Sequence, residues 1–112
     1  MIAGIDHFVL TVASLEVTCE FYQRVLGFER IDAADRPTAL AFGTHKINVH
    51  EVGRTFEPKA KSPTSGSGDF CLITDRPLDE VRARLAAKGR YAPAHKGHQA
   101  YGVEKALCSR ST

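Results

Sequence analysis

The sequence is short of the features that mark several protein classes. Its three cysteines, Cys19, Cys71 and Cys108, are odd in number and form no C-x-x-C pair, which speaks against a disulfide framework or a zinc ribbon. No apolar run approaches the roughly 20 residues of a membrane span. The N-terminus lacks a charged stretch leading into an apolar one, so a reducing cytoplasm is the expected location and no membrane partner is expected. Nowhere are basic residues interleaved with aromatics along one face, and nucleic acid is therefore not expected as a partner. Residues 90–112 contain only Val103 and Thr112 among β-branched types, so this stretch has little strand character.

What is there is an ordinary globular composition, 43% hydrophobic and 25% charged over 112 residues, enough for one small core and no separate cofactor domain. The net charge of +2 is unevenly spread. Lys88, Arg90, Lys96, Lys105 and Arg110 face a single acid, Glu104, at the C-terminal end, so the chain before them is slightly acidic. Composition changes near Gly89.

Alternation over Ile5–Val12 predicts a first strand with Phe8, Leu10 and Val12 on one face and Ile5, His7, Val9 and Thr11 on the other. Ser14 suits a helix N-cap; Leu15, Cys19, Tyr22 and Leu26 follow at helical spacing, and Gly27 supplies the stop. Phe28–Asp32 and Thr38–Gly43 read as strands around a turn, and Lys46–Val52 as a further strand with Asn48 and His50 on one face. His45 falls in the turn before it and reads as exposed. Gly53–Gly68, rich in Pro, Gly and Ser, is a linker. Asp69–Thr74 then reads as a strand, and Leu78, Val81 and Leu85 as the stripe of a second helix with Pro77 in its first turn, Asp79 and Glu80 at its positive end and Gly89 as its stop. Strand, helix and three strands are thus followed by a second strand and helix, an α+β pattern in which the second copy breaks off.

With I-D-H-F-V-L-T-V at residues 5–12, F-Y-Q-R-V-L-G-F at 21–28, K-I-N-V-H-E-V-G at 46–53 and D-F-C-L-I-T at 69–74, the chain resembles the vicinal oxygen chelate superfamily. That group takes in glyoxalases, bleomycin resistance proteins, fosfomycin resistance enzymes and extradiol dioxygenases. The resemblance implies βαβββ modules wrapped into a half-open barrel, the second incomplete after its helix. It implies a glyoxalase-like domain over residues 1–89, made of a first module 1–53, a linker 54–68 and a partial second module 69–89, followed by an atypical basic tail 90–112. It also implies a small-molecule ligand and a homodimer, domain-swapped in one form.

The resemblance further implies a divalent metal, zinc, nickel, manganese or iron, held by His7 on the first strand, by His50 or Asn48 on the fourth, and by Asp69 on the fifth. Strand parity agrees, since these residues fall opposite the apolar pairs Phe8/Leu10, Ile47/Val49 and Phe70/Leu72. Imidazole and carboxylate donors with an open position suit a Lewis-acidic ion. In this reading the domain acts on a small oxygenated substrate as a metal-dependent lyase, isomerase or dioxygenase, with activity in doubt while the last strands are missing. The alternative is a metal-free protein that binds or sequesters a small molecule such as an antibiotic. His95 and His98 read as part of a polar tail because Pro93 and Gly97 argue against the helix their spacing would need. Cys19 and Cys71 read as small buried hydrophobes.

Family members commonly end in a Y/F-x-R-D-P-D-G-N strand followed by an L-I-E-V segment, to which Leu107–Thr112 does not align. Codons for L-C-S-R-S-T shifted by one base can spell an aromatic, a small residue and R-D-P. The expectation is a glyoxalase-like gene carrying a frameshift near Gly89, which sequencing of the locus tests.

Overall fold

In a computed structural model of the chain, residues 1–88 are described in full and residues 98–100 and 106–109 by their backbone. The chain divides into two compact units, Met1–Gly66 and Ser67–Thr112.

The first unit runs β1 (Phe8–Val12), α1 (Leu15–Leu26), β2 (Glu29–Ala33), β3 (Arg36–Phe42) and β4 (His45–Glu51). The four strands form an open sheet in the order β1-β4-β3-β2. β1 and β4 are parallel, with Val9 opposite Asn48 and Thr11 opposite His50, and the other pairs are antiparallel. β1 starts three residues later than the alternation predicts, and β4 includes His45, which is exposed as expected but lies in the strand.

Local chemistry sets the limits of α1. The Ser14 side chain, on extended backbone, accepts a 3.3 Å hydrogen bond from the Val17 amide, satisfying one of the donors a helix start leaves open. At the other end Gly27 takes φ +72°, and its amide donates to Gln23 O while the Phe28 amide donates to Tyr22 O. The left-handed conformation at this C-cap is the one glycine adopts without a Cβ clash. The buried side of α1 is Thr18, Cys19, Phe21, Tyr22 and Val25. The predicted stripe is therefore rotated: Leu15 and Leu26 are half-buried, because Phe21 offers more apolar area to the sheet than either.

α1 covers the face of the sheet that carries Leu10, Val12, Leu40, Ile47 and Val49, all buried. Phe28 extends this core by stacking on Phe42 at 4.4 Å between ring centroids. Two polar contacts fix the helix on the sheet. Arg30 on β2 donates to both Glu16 oxygens, at 2.8 and 2.9 Å, and to Asp32 at 2.9 Å. The bidentate pairing raises the proton affinity of the guanidinium and lowers that of the Glu16 carboxyl. At the end of β4, Glu51 Oε2 accepts a 2.8 Å hydrogen bond from the Leu15 amide, placing a carboxylate at the positive end of the helix.

The second unit holds β5 (Cys71–Ile73), α2 (Leu78–Lys88), β6 (His98–Ala100) and β7 (Ala106–Ser109), with an antiparallel sheet in the order β5-β7-β6. Among the described residues it has three strands against four in the first unit, so the second module is incomplete. Pro77 stands just before α2 rather than inside it, its carbonyl accepting from the Glu80 and Val81 amides.

Four sequence expectations are corrected here. β5 begins at Cys71, leaving Asp69 outside the strand. Two short strands form within residues 90–112, because pairing with a neighbouring strand supplies what side-chain propensity does not. Cys71 is exposed and disulfide-bonded rather than a buried apolar residue, and it stands opposite Cys108 in the β5–β7 register. His98 belongs to β6; Gly89, His95 and most of the segment carrying the frameshift expectation lie outside the described residues.

Candidate functional site

The face of the first sheet opposite α1 carries the candidate site residues of the first unit. Residues paired in register point to the same side, so this face holds one row of Val9, Asn48, Ala39 and Ile31 and a second of Thr11 and His50. A third, at one end, has Lys46, Ala41 and Glu29. His7 lies one residue before β1 and, by continued alternation, joins the Lys46 row. Small residues at Ala39 and Ala41 leave the middle of this face low, between the strands that present Asn48 and His50.

His7 is exposed, and its Nδ1 donates a 2.7 Å hydrogen bond to Asp6 Oδ2. With the carboxylate ionised, Nδ1 carries the proton of this bond. The same bond holds the Asp6 carboxyl below its usual range, with Lys46 adding a smaller contribution. Asp6, the residue immediately before His7, is the hydrogen-bonding neighbour that parity reasoning overlooks.

His50 is the opposite case. Only 2% of its surface is exposed, and its Nδ1 has no hydrogen-bond partner. The loop after β4 covers it: Phe56 lies 5.7 Å away between ring centroids. Burial pushes the proton affinity of His50 down, Lys59 pushes it further down, and Glu57 opposes both. The imidazole is therefore neutral near pH 7, with a polar atom that water does not reach. Asn48 is half-buried and Thr11 buried beside it.

Of the residues read from the sequence as metal donors, His7, Asn48 and His50 share this face, and Asp69 lies in the second unit, where it is exposed. His7 and His50 do not converge. One strand spacing across and four residues along put their Cα atoms roughly 14 Å apart. Among the described residues no three His, Cys, Asp or Glu side chains gather where they could hold one ion. The described donors alone therefore do not assemble a divalent-metal site. Cys19 is free and buried, and burial raises its thiol's proton affinity, which makes it inert packing.

Comparison with known proteins places this arrangement. The family model for the Glyoxalase/Bleomycin resistance protein/Dioxygenase superfamily matches residues 4–107. The chain is 44% identical over 89 residues to a virulence protein of Salmonella typhimurium, covering 80% of this chain and 62% of that protein. It is 35% identical over 88 residues to a glyoxalase domain-containing protein of Mycosarcoma maydis, covering 79% of this chain and 49% of that one. The chain thus spans about half to three-fifths of the length of these curated relatives. The crystal structure of the Salmonella protein superposes with a TM-score of 0.75 over 80% of this chain and 71% of that one. A lactoylglutathione lyase of Agrobacterium tumefaciens shares the fold at 15% identity, with a TM-score of 0.63 over 99% of this chain and 87% of that one. No helix among the described residues is long and apolar enough to cross a membrane. The βαβββ unit, its polar sheet face and the family match agree: the chain belongs to the Glyoxalase/Bleomycin resistance protein/Dioxygenase superfamily.

Proposed function

We propose that this glyoxalase-like domain binds a small oxygenated molecule on the polar face of its first sheet, between His7 and His50. The observation that carries this reading is His50 Nδ1, a buried hydrogen-bonding atom left without a partner. Such an atom costs about 1–3 kcal/mol to keep, and a ligand hydroxyl that donates to it, or a carbonyl or carboxylate that accepts from it, removes that cost. Asn48 and Thr11 offer an amide and a hydroxyl beside it, Val9 and Ala39 an apolar floor, and His7 Nε2 an acceptor at the exposed end. Few polar groups set among small apolar ones are the composition of a small-molecule site.

A metal-dependent lyase, isomerase or dioxygenase with His7, His50 and Asp69 as donors is the second reading. What favours it is the Asp6–His7 pair, since a carboxylate on one imidazole nitrogen orients the other toward a metal. One experiment separates the two. The purified full chain, before and after incubation with zinc, nickel, manganese or iron(II), is analysed for bound metal. It is then titrated with 2-hydroxy and 2-oxo carboxylates and vicinal diols while the amide signals of Asn48, His50 and Thr11 are followed by NMR. Ligand-dependent shifts in metal-free protein uphold the first reading. Stoichiometric metal lost on His7→Ala, with shifts only in loaded protein, moves the conclusion to the second, and unmoved signals in both states sink the binding site.

A further inference from the structure

The second unit has little core to hold it together. Among its described residues Val81 is the one that is buried, and Ile73 on β5 is 90% exposed. The ladder from β5 to β7 pairs Cys71 with Cys108, Leu72 with Leu107 and Ile73 with Ala106, and an equally short one joins β7 to β6. Ladders of this length are marginal in water. A unit this small ordinarily adds a cross-link or a metal to its apolar contacts.

A cross-link is present. Cys71 is disulfide-bonded and Cys19, in the first unit, is free. The chain has three cysteines, so the sulfur bonded to that of Cys71 belongs to Cys108. The register agrees, since residues directly opposite in an antiparallel pair have Cα atoms about 4.5–5.5 Å apart, within the span of a disulfide. The bond closes a loop that runs through α2 and β6 and fastens β7 to β5 at its first residue. Cys71 is also exposed, so a thiolate in solution reaches its sulfur without any unfolding, which is the situation of a labile disulfide and not of a shielded structural one.

We infer that Cys71 and Cys108 form a redox latch, in which the disulfide clasps β7 to β5 and a dithiol opens it by attack at Cys71. The step balances in two exchanges. One thiolate of the dithiol attacks the Cys71 sulfur, the Cys71–Cys108 bond breaks, and Cys108 leaves as a thiolate that takes up a proton. The second thiol of the reductant, as thiolate, attacks the mixed disulfide; the dithiol departs as its own disulfide, and Cys71 is released and protonated. Both electrons come from the dithiol, which is oxidised. A small disulfide such as oxidised glutathione recloses the latch by the reverse exchange and leaves as two thiols.

Opening the latch lifts a loop constraint, so the population of opened β5–β7 ladder rises on the order of 10²–10³-fold. The first unit has its own core and takes no part in the bond, so its protection stays unchanged. Neither His7 nor His50 is involved, and the latch stands or falls separately from the binding reading above.

The test uses the full chain, air-oxidised and then equilibrated in glutathione buffers that run from oxidising to cytosolic poise. Peptide mapping under non-reducing conditions follows the bond, and amide exchange read by NMR follows the strands. A linked Cys71–Cys108 peptide is expected in the oxidised protein and is expected to disappear at cytosolic poise. With its loss, exchange on β5 and β7 speeds up by the factor above while Leu40 and Ile47 keep their rates. Cys108→Ser should exchange fast on β5 in every buffer. The parent compared in two buffers gives the same answer if that variant is poorly folded. A cross-link to Cys19 or between chains overturns the proposal, as does a bond that stays closed at cytosolic poise. Unchanged exchange on β5 and β7 after reduction also overturns it, because the strands then hold without the bond.

Discussion

Replacing His50 by leucine should stabilise the protein. His50 is 2% exposed and its Nδ1 has no partner, a state that costs about 1–3 kcal/mol relative to a satisfied or apolar group. Leucine is of similar size, so overpacking is small. The substitution loses the ring contact with Phe56, and aromatic pairs contribute about 0.5–1.5 kcal/mol beyond area burial. The balance is a gain of about 1 kcal/mol at pH 7.5, or roughly 4–8 °C in Tm for a domain of this size. A pH signature accompanies it. Burial lowers the proton affinity of folded His50 below the ordinary value of 6.5, so below that pH the unfolded chain binds more protons than the folded one. The stability that neutral His50 allows is intact above pH 6.5 and is lost as pH falls from there toward the folded value; in His50→Leu this loss disappears. Urea denaturation of both proteins from pH 5 to 8 measures both effects. A leucine variant less stable than the parent at pH 7.5 refutes the reasoning, because Nδ1 must then be satisfied in solution.

Substitutions at three further positions probe the scaffold. Ile47→Ala, at a residue with no exposed surface, should cost about 2–5 kcal/mol in urea denaturation, by lost burial and a residual cavity. Glu51→Ala should cost about 1–2 kcal/mol because the Leu15 amide loses its acceptor. Glu51→Gln, which keeps an acceptor and drops only the charge, should cost about 0.3–1 kcal/mol, so equal losses would count against a share from the hydrogen bond itself. Gly27→Ala should lower stability by about 1 kcal/mol through its left-handed backbone alone, since an added Cβ there meets nothing within 4 Å; thermal denaturation checks it.

The first unit was readable because each local signal agreed with its neighbours. Alternation from Phe8 to Val12, Ser14 before α1 and Gly27 after it, and the two short strands that follow mark elements whose chemistry is local. Parity placed His7, Asn48 and His50 on one face for the same reason. It could not show how far along that face they lie, because the parallel β1–β4 register is set by tertiary pairing: Asn48 falls beside Val9, and His50 two steps further from His7. Nor could it show that the loop carrying Phe56 buries His50, or that Glu51 reaches across 36 positions to the Leu15 amide. In the second unit the short strands β6 and β7 run through residues of weak strand propensity, and the disulfide at Cys71 depends on register rather than spacing.

The parallel pairing of β1 with β4 also bears on how the chain is made. β2, β3 and β4 are successive hairpin partners, whereas Phe8 must wait for Ile47, and contacts so far apart in sequence form late because loop closure precedes their reward. β1 leaves the ribosome first and finds its place in the sheet last. Until residues 45–51 are free to receive it, Phe-Val-Leu-Thr-Val is an uncharged, β-prone pentapeptide open to any strand or chaperone it meets. Aggregation during synthesis should therefore begin at this strand, and raised growth temperature should expose it before any other part of the first unit.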